Sequence, residues 1–316
     1  MNKLILIVFF CLAICGISNA QQEVQFTQFM YNKLYYNPAY AGVRGGPSLK
    51  AMYRRQWIGF EGAPESRLIS FDLPLFNDRV GFGATFLSHD QGITDNWQAN
   101  LAYSYSIKLR EDLYLRTGFQ GSIRFYGIDF DDPDFIVLEQ ADPSIMDGVD
   151  TENYFGNFGF GAYLTYKESF FGISIPNFYA NDISFNSDQI DQFAQESRHF
   201  YAMAGTTFAV NEKMKLRPSV LAKYVKNAPF DMDVNLNLTI DNTVTFGVSY
   251  RAGGDTGAGE SIDLLALYQL NKIALGLSYD ITLSEMRNHS SGSFEAMIRY
   301  DFHAKRGDMA NPRFFF

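Results

Sequence analysis

The sequence predicts an all-β protein, namely a transmembrane antiparallel β-barrel of about 14 strands with a short N-terminal plug segment. Three observations indicate this fold class. Apolar and polar residues alternate along most of the chain, aromatic residues make up 16% of it, and no stretch after residue 20 is apolar for the ~18 residues that a membrane helix needs. High aromatic content without a long apolar run is typical of a wall whose lipid-facing and lumen-facing residues alternate.

The N-terminus has the pattern of a secretory signal. Lys3 is followed by a short apolar run and then by small and polar residues that end at Ala20. This pattern predicts a signal peptide over residues 1–20, cleaved after Ala20.

The 2 cysteines of the chain, Cys11 and Cys15, both lie in this segment. Lipid attachment at Cys15 is an alternative to ordinary cleavage, although Ile14 stands where a small residue is expected. With ordinary cleavage the mature chain has no cysteine, which excludes a disulfide or a thiolate metal site.

Strand alternation is clearest in four segments. Over residues 97–108 the sequence places Trp, Leu, Tyr and Ile on one face and Gln, Asn, Ser and Lys on the other, and 231–241, 273–283 and 293–303 repeat the pattern. A period of two puts successive side chains on opposite faces of a strand. Because aromatic residues extend the apolar face to the strand ends, we expect two aromatic girdles at the membrane interfaces.

The same pattern gives bounds for each strand. The predicted strands are 47–60, 65–75, 79–89, 96–109, 112–126, 154–167, 169–176, 198–210, 213–226, 230–241, 243–252, 260–270, 272–283 and 292–303. The links after even-numbered strands are short, and those after odd-numbered strands, including 90–95, are longer. Since short turns face the periplasm in outer-membrane barrels, both termini are predicted to be periplasmic.

The chain therefore divides into a signal peptide over 1–20, an N-terminal leader or plug over 21–46, a barrel over 47–303 and a periplasmic C-terminal tail over 304–316. We expect part of the leader, 24–42, to fold into or across the periplasmic mouth, with a short helix over 26–32. The residues expected to form this plug are Phe26, Gln28, Phe29, Tyr31, Asn37, Pro38 and Tyr40. A lumen this wide needs either water or a plug, and the adjacent leader favours a plug over an open channel.

The first strand contains an irregular motif of Arg54, Arg55, Gln56 and Trp57. Arg55 shares a face with Trp57, and a lipid-facing Arg at mid-depth costs about 2–4 kcal/mol. We therefore expect Arg55 either to lie near the membrane interface or to be turned inward by a bulge.

The link over 127–153 is rich in carboxylates, which include Asp129, Asp131, Asp132 and Asp134. Clustered carboxylates suit calcium or an acidic docking surface. Their spacing matches no EF-hand, so a solvated outer loop is the favoured interpretation.

Nothing in the sequence indicates catalysis or a cofactor. The 4 histidines are isolated, and the chain contains no nucleophile elbow, P-loop or dinucleotide fingerprint. We expect no catalytic, cofactor-binding or metal-binding residues. The net charge of −9 argues against nucleic acid as a partner.

Several motifs resemble the PorP/SprF family of Bacteroidota outer-membrane proteins. They span the whole predicted mature chain in the order of the family. The motifs are QFTQFMYN (25–32), YNPAYAG (36–42), YRRQWIG (53–59), GAP (62–64), APF (228–230), GVSYR (247–251), YDI (279–281), GSFE (292–295) and NPRF (311–314).

The resemblance implies an outer-membrane barrel of the type IX secretion system, surrounded by outer-membrane lipid and without catalytic residues. Its implied partners are a secreted cargo protein, such as a gliding adhesin, and the periplasmic ring or lipoprotein components of the secretion machinery. The implied function is docking or anchoring of cargo at the cell surface. One alternative is a passive channel for small hydrophobic substrates with an N-terminal plug, and another is a purely structural barrel.

Overall fold

The computed structural model describes residues 23–76, 78–129, 152–183, 194–226, 228–253 and 259–302, so the predicted signal and tail lie outside these ranges. Fourteen antiparallel strands form a closed barrel, which confirms the predicted fold class. The barrel strands are β1 (Ser48–Arg55), β2 (Glu65–Leu75), β3 (Val80–Gln91), β4 (Thr94–Arg110), β5 (Leu113–Ile128), β6 (Glu152–Tyr166), β7 (Ser169–Ile175), β8 (His199–Thr206), β9 (Met214–Val225), β10 (Asp231–Ile240), β11 (Val244–Ala252), β12 (Ser261–Leu270), β13 (Ile273–Thr282) and β14 (Ser293–Asp301).

Each strand pairs with the next along the chain, and the barrel closes where β1 meets β14. Along this seam Ser48 lies opposite Asp301, and Arg55 lies opposite Phe294. Closure leaves the sheet without an open edge strand, which is the usual way in which a membrane barrel satisfies its backbone groups. Two small elements are added to the barrel: Phe208–Ala209 pairs with β9, and Asp182–Ile183 pairs with Ala194–Gln195 in the loop between β7 and β8.

The two faces of the wall differ in chemistry, as the alternation predicts. Along β13, Leu275, Leu277 and Tyr279 point outward and are exposed, whereas Ser278 and Asp280 point inward and are buried. An apolar outer face beside a polar inner face fits a wall that separates lipid from a polar lumen.

Strand β1 is shorter than predicted, because it ends at Arg55 rather than at residue 60. Trp57 has a positive φ of 46°, which breaks an extended strand. The backbone N–H of Gln56 donates instead to the carbonyl of Pro64 at 2.9 Å. Gln56 and Trp57 therefore lie in the loop that follows the strand.

The link between β3 and β4 was predicted to be long, and this prediction is wrong. The two strands stay paired as far as Gln91 and Thr94, so only Gly92 and Ile93 connect them. Gly92 has a φ of 56°, which suits a tight hairpin turn. The alternation of short and long links therefore fails at this position.

The barrel has two distinguishable ends. We call the end with the short links 111–112, 167–168 and 271–272 the turn end, and the end with the segments 56–64 and 283–292 the loop end. The first residue of β1, Ser48, lies at the turn end beside Asp301, the last residue of β14. The chain therefore enters and leaves the barrel wall at the turn end.

Candidate functional site

The described part of the leader lies inside the barrel. Residues 26–44 are all buried. Three single turns of helix shape this segment, Phe29–Tyr31, Lys33–Tyr36 and Pro38–Tyr40, instead of the predicted helix over 26–32. No helix in the described part of the chain is long and apolar enough to cross a membrane.

The residues singled out in the leader all point into this packed interior. They are Phe26, Gln28, Phe29, Tyr31, Asn37, Pro38 and Tyr40. Their rings contact one another and the wall: Phe26 meets Tyr35 at 5.6 Å between ring centroids, and Tyr40 meets Tyr163 of β6 at 5.5 Å. Whether they act as a plug stays a prediction.

The leader extends from one end of the lumen to the other. At the loop end, Glu23 bonds Arg124 at 3.2 Å and accepts a hydrogen bond from Tyr201 at 2.9 Å. At the turn end, Arg44 bonds Asp301 at 3.0 Å. The first described residue of the leader therefore lies at the loop end, opposite the end where β1 begins. The sequence instead suggested that the leader occupies only the periplasmic mouth, with both termini on that side.

Asn37 fixes the middle of the leader. Its side-chain oxygen accepts from the N–H of Ala39 at 2.9 Å and caps the turn that begins at Pro38. Its side-chain nitrogen donates to the carbonyls of Ala162 and Ile173 at 3.1 and 3.2 Å. The Asn-Pro pair thus makes a turn and also joins the leader to β6 and β7.

Glycines of the inner wall leave room for the leader. A Cβ atom on Gly118 would lie 2.2 Å from the backbone nitrogen of Ala39, and one on Gly81 would lie 2.0 Å from the carbonyl oxygen of Ala41. These distances are shorter than any ordinary van der Waals contact, so the wall and the leader backbone meet only because these positions lack a side chain. The outward-facing Gly121 has no such neighbour within 4 Å.

Arg54 is the centre of a buried ionic cluster near the loop end. Its guanidinium lies 2.7 Å from Asp280 and 3.4 Å from Glu295. The same two carboxylates hold the leader: Thr27 donates its hydroxyl to Asp280 at 2.8 Å, and the backbone N–H groups of Thr27 and Gln28 donate to Glu295 at 2.8 and 3.0 Å. The cluster therefore joins the leader to β1, β13 and β14.

The neighbouring Arg55 points outward at the end of β1. Its side chain is 51% exposed and lies 3.5 Å from Glu65. The alternative of an inward turn by a bulge is therefore wrong, while a position near the membrane interface stays a prediction. The partners Asp280 and Glu295 were not predicted as site residues, although their charged positions on an inward face were a usable signal.

Buried charges divide the lumen into two halves. The loop-end half is rich in carboxylates, and the turn-end half is rich in cations. The buried charged residues of the loop-end half are Glu196, Asp231, Asp233, Asp263, Asp280 and Glu295 with Arg54, Lys223 and Arg251. Those of the turn-end half are Lys33, Arg44, Lys50, Arg116, Arg217 and Arg299 with Asp72.

Two leader residues carry the clearest electrostatic effects. Burial lowers the pKa of Lys33 well below its ordinary value, and the nearby charges of Arg44 and Lys50 lower it further. Its ammonium lies 3.7 Å from the ring centroid of Phe170. For Glu23, burial alone would raise the pKa, but the charge that His199 carries when it is protonated, the charge of Arg124 and the hydrogen bond from Tyr201 outweigh it and lower the pKa to about 2.

A cavity of about 900 Å³ lies at the loop end, above the first described residues of the leader. We call it the vestibule. Its lining includes Glu23 and Gln25 from the leader, Arg54, Gln56 and Trp57 from the first-strand motif, and Arg124, Glu196, His199, Arg251, Glu260, Ser261, Asp280 and Glu285. Three residues of the first-strand motif therefore meet the leader at one site.

The acidic link of the sequence is only partly described. Asp129 follows β5, where its N–H donates to the carbonyl of Ile93 at 2.8 Å, while Asp131, Asp132 and Asp134 lie outside the described residues. Within the described ranges, no group of three or more His, Cys or acidic residues is arranged to hold a metal ion. The calcium interpretation therefore stays untested.

An antiparallel wall of this kind, apolar outside and polar inside, defines an outer-membrane β-barrel. The chain belongs to the family of type IX secretion system membrane proteins PorP/SprF, whose family model matches residues 18–300. The family suggested by the leader and first-strand motifs is thereby confirmed.

Solved structures with the same fold include a toluene transporter and a monoaromatic hydrocarbon channel. The Ralstonia pickettii toluene transporter TbuX aligns with a TM-score of 0.52 and 10% identity over 85% of this chain and 93% of its own. The CymD monoaromatic hydrocarbon channel aligns with a TM-score of 0.53 and 10% identity over 86% and 93%. At this identity the similarity shows the fold alone. No curated protein matches the sequence.

Proposed function

We propose that this barrel is a non-enzymatic docking or anchoring protein for cargo of the type IX secretion system at the cell surface. The observation that carries the proposal is the leader, which occupies the lumen from the loop end to the turn end. Glu23 and Arg44 bond the wall at opposite ends of this path. A lumen filled in this way suits a binding protein better than an open pore.

The two ends would then serve different partners. Short turns face the periplasm in outer-membrane barrels, so we assign the turn end to the periplasm and the loop end to the cell exterior. The vestibule would meet the cargo. The turn end, with the tail 304–316 that lies outside the described residues, would meet the periplasmic ring or lipoprotein components.

A passive channel for small hydrophobic substrates is the second candidate, because the solved structures with this fold include a toluene transporter and a monoaromatic hydrocarbon channel. Such a channel needs an apolar passage. The vestibule is instead lined by charged groups such as Arg54, Arg251 and Glu260, and the leader below it is joined to the wall by ionic contacts at both ends. These features favour docking.

Deletion of the gene in its native host tests the proposal. The surface proteome of the deletion strain is compared with that of the same strain complemented with the wild-type gene. We expect one or a few proteins with a type IX secretion signal to leave the surface and to return on complementation. An unchanged set of surface proteins would contradict the docking function.

A further inference from the structure

The vestibule has more carboxylates than its own cations can neutralise. Each arginine of the lining already has a carboxylate partner. The pairs are Arg54 with Asp280 at 2.7 Å, Arg124 with Glu196 at 2.8 Å and Arg251 with Asp233 at 2.7 Å. Glu260 and Glu285 line the same cavity and make no ion pair with any described residue. An incoming cation would therefore find two carboxylates without an ion-pair partner of their own, although Glu260 shares the nearby charges of Arg251 and Lys223 with Asp231 and Asp233.

Buried polar atoms of the wall also lack partners and can accept hydrogen bonds. Ser261 lines the vestibule and is 5% exposed; its hydroxyl faces the carboxylate of Asp263, and its oxygen accepts no hydrogen bond from the described residues. His199 is 2% exposed, and its Nδ1 lies 2.8 Å from the carbonyl oxygen of Ser197. Because a carbonyl only accepts, Nδ1 carries the proton, and the unpartnered Nε2 of the neutral ring is an acceptor.

Asp263 adds acceptor capacity next to Ser261. It lies two residues further along the inner face of β12 and directly opposite Asp280 of β13. It is fully buried, and within the described part of the chain its carboxylate is faced by the hydroxyl of Ser261 and the charge of Arg251. Buried carboxylates are normally held by several donors, so the carboxylate next to Ser261 has acceptor capacity left.

Two guanidinium atoms, Arg54 Nε and Arg251 Nη2, are also without a hydrogen-bond partner among the described residues. Arg54 lies between Asp280 and Glu295, and Arg251 interacts electrostatically with Asp233, Asp263 and Glu260. Both positive charges are thus already compensated. The excess charge of the site remains negative, which disfavours an anionic ligand.

We infer that the vestibule binds a lysine or arginine side chain of a protein segment that enters from the loop end, with its cationic group at Glu260 and Ser261. The volume of about 900 Å³ is at the upper end of the range for ligand pockets and suits a short peptide. Trp57 and Trp97 also line the cavity and offer aromatic faces to the segment. The inference rests on the proposed docking function for the origin of the segment, but the binding itself can be measured separately.

The test uses the full-length mature protein in lipid nanodiscs and a library of immobilised octapeptides in which every position is varied. We expect peptides with Lys or Arg to be enriched over otherwise identical peptides with Gln or Glu. Glu260→Gln removes the charge and keeps the shape of the side chain. It is expected to weaken binding of the selected peptides about tenfold. Ser261→Ala should also weaken binding of these peptides. Glu111→Gln, at the turn end, is the matched control and should leave binding unchanged.

Enrichment of Asp or Glu peptides would show that Arg54 and Arg251 recognise the ligand and would overturn the inference. Absence of any charge preference, or equal binding by Glu260→Gln and the wild type, would also overturn it. If either of these binding results were obtained while the deletion strain still lost cargo from its surface, the inference about a basic side chain would fail and the docking function would stand. If basic peptides bound while surface display stayed normal, the docking function would fail instead.

Discussion

Arg54 of β1 and Asp280 of β13 form a buried ion pair of 2.7 Å although β14 separates their strands. Glu295, on the intervening β14, lies on the other side of the same guanidinium, and Thr27 of the leader bonds both carboxylates. One arginine thus compensates two buried carboxylates that also hold the leader. This arrangement makes the closure of the barrel and the position of the leader interdependent.

Replacing Arg54 by methionine should destabilise the barrel strongly. The substitution leaves Asp280 and Glu295 buried without their cation, and loss of one partner of a buried pair costs about 3–5 kcal/mol. Urea unfolding in lipid vesicles, followed by tryptophan fluorescence, measures the change. Arg55→Met is the matched control at the next position, because Arg55 is exposed and its pair with Glu65 should contribute no more than ~1 kcal/mol. Equal losses for the two variants would contradict this role of Arg54.

A methyl group on the inner wall should displace the leader. The new Cβ of Gly118→Ala would lie only 2.2 Å from the backbone nitrogen of Ala39. Backbone moves aside less readily than a flexible side chain. We expect a loss of about 1–3 kcal/mol, as for other overpacked sites.

Gly121→Ala on the outer face of the same strand provides the comparison, since nothing lies within 4 Å of the place that its new Cβ would occupy. Hydrogen exchange followed by mass spectrometry should show faster exchange of leader amides in Gly118→Ala alone. If both variants exchanged like the wild type, the close contact between wall and leader would be wrong.

The strand pattern was readable because membrane strands must alternate on a period of two, and that constraint is local. The bounds of β2 were predicted at the same residues at which the strand is found, and those of β10 differ by one residue at each end. The end of β1 was missed because no residue type marks it. Arg54 and Arg55 continue the extended backbone, and Trp57, whose positive φ ends the strand, is not one of the residue types that favour turns.

The path of the leader could be anticipated only in part. Its aromatic and amide residues and its Asn-Pro pair indicated a packed, turned segment next to the first strand. Its direction depends on contacts such as that of Glu23 with Arg124, 101 residues away in sequence, and no local pattern encodes such a pairing. The separation of carboxylates and cations between the two halves of the lumen became visible only with the register of all strands.

Acid should weaken the attachment of the N-terminal part of the leader. The pKa of Glu23 falls from an ordinary value of 4.5 to about 2 in the folded protein. A lowered carboxyl pKa stabilises the folded state above the ordinary pKa, and this contribution is lost as the pH falls from about 4.5 towards 2. The full contribution is on the order of 3 kcal/mol.

Thermal unfolding of the wild type and of Glu23→Gln between pH 2 and pH 7 isolates this group, because all other carboxyls are common to both proteins. The wild type should unfold at the higher temperature near neutral pH, and the difference should shrink towards zero as the pH approaches ~2. A difference that did not depend on pH would show that Glu23 contributes no ionic attachment.

The central claim is that the leader closes the lumen, so that the barrel docks a partner instead of conducting solutes. Single-channel recording of the wild-type mature protein in planar lipid bilayers tests it most directly, with a variant that lacks residues 23–42 as the open reference. We expect no steady conductance from the wild type and a stable open pore from the shortened variant. A steady ohmic conductance of the wild type, equal to that of the shortened variant, would contradict the account.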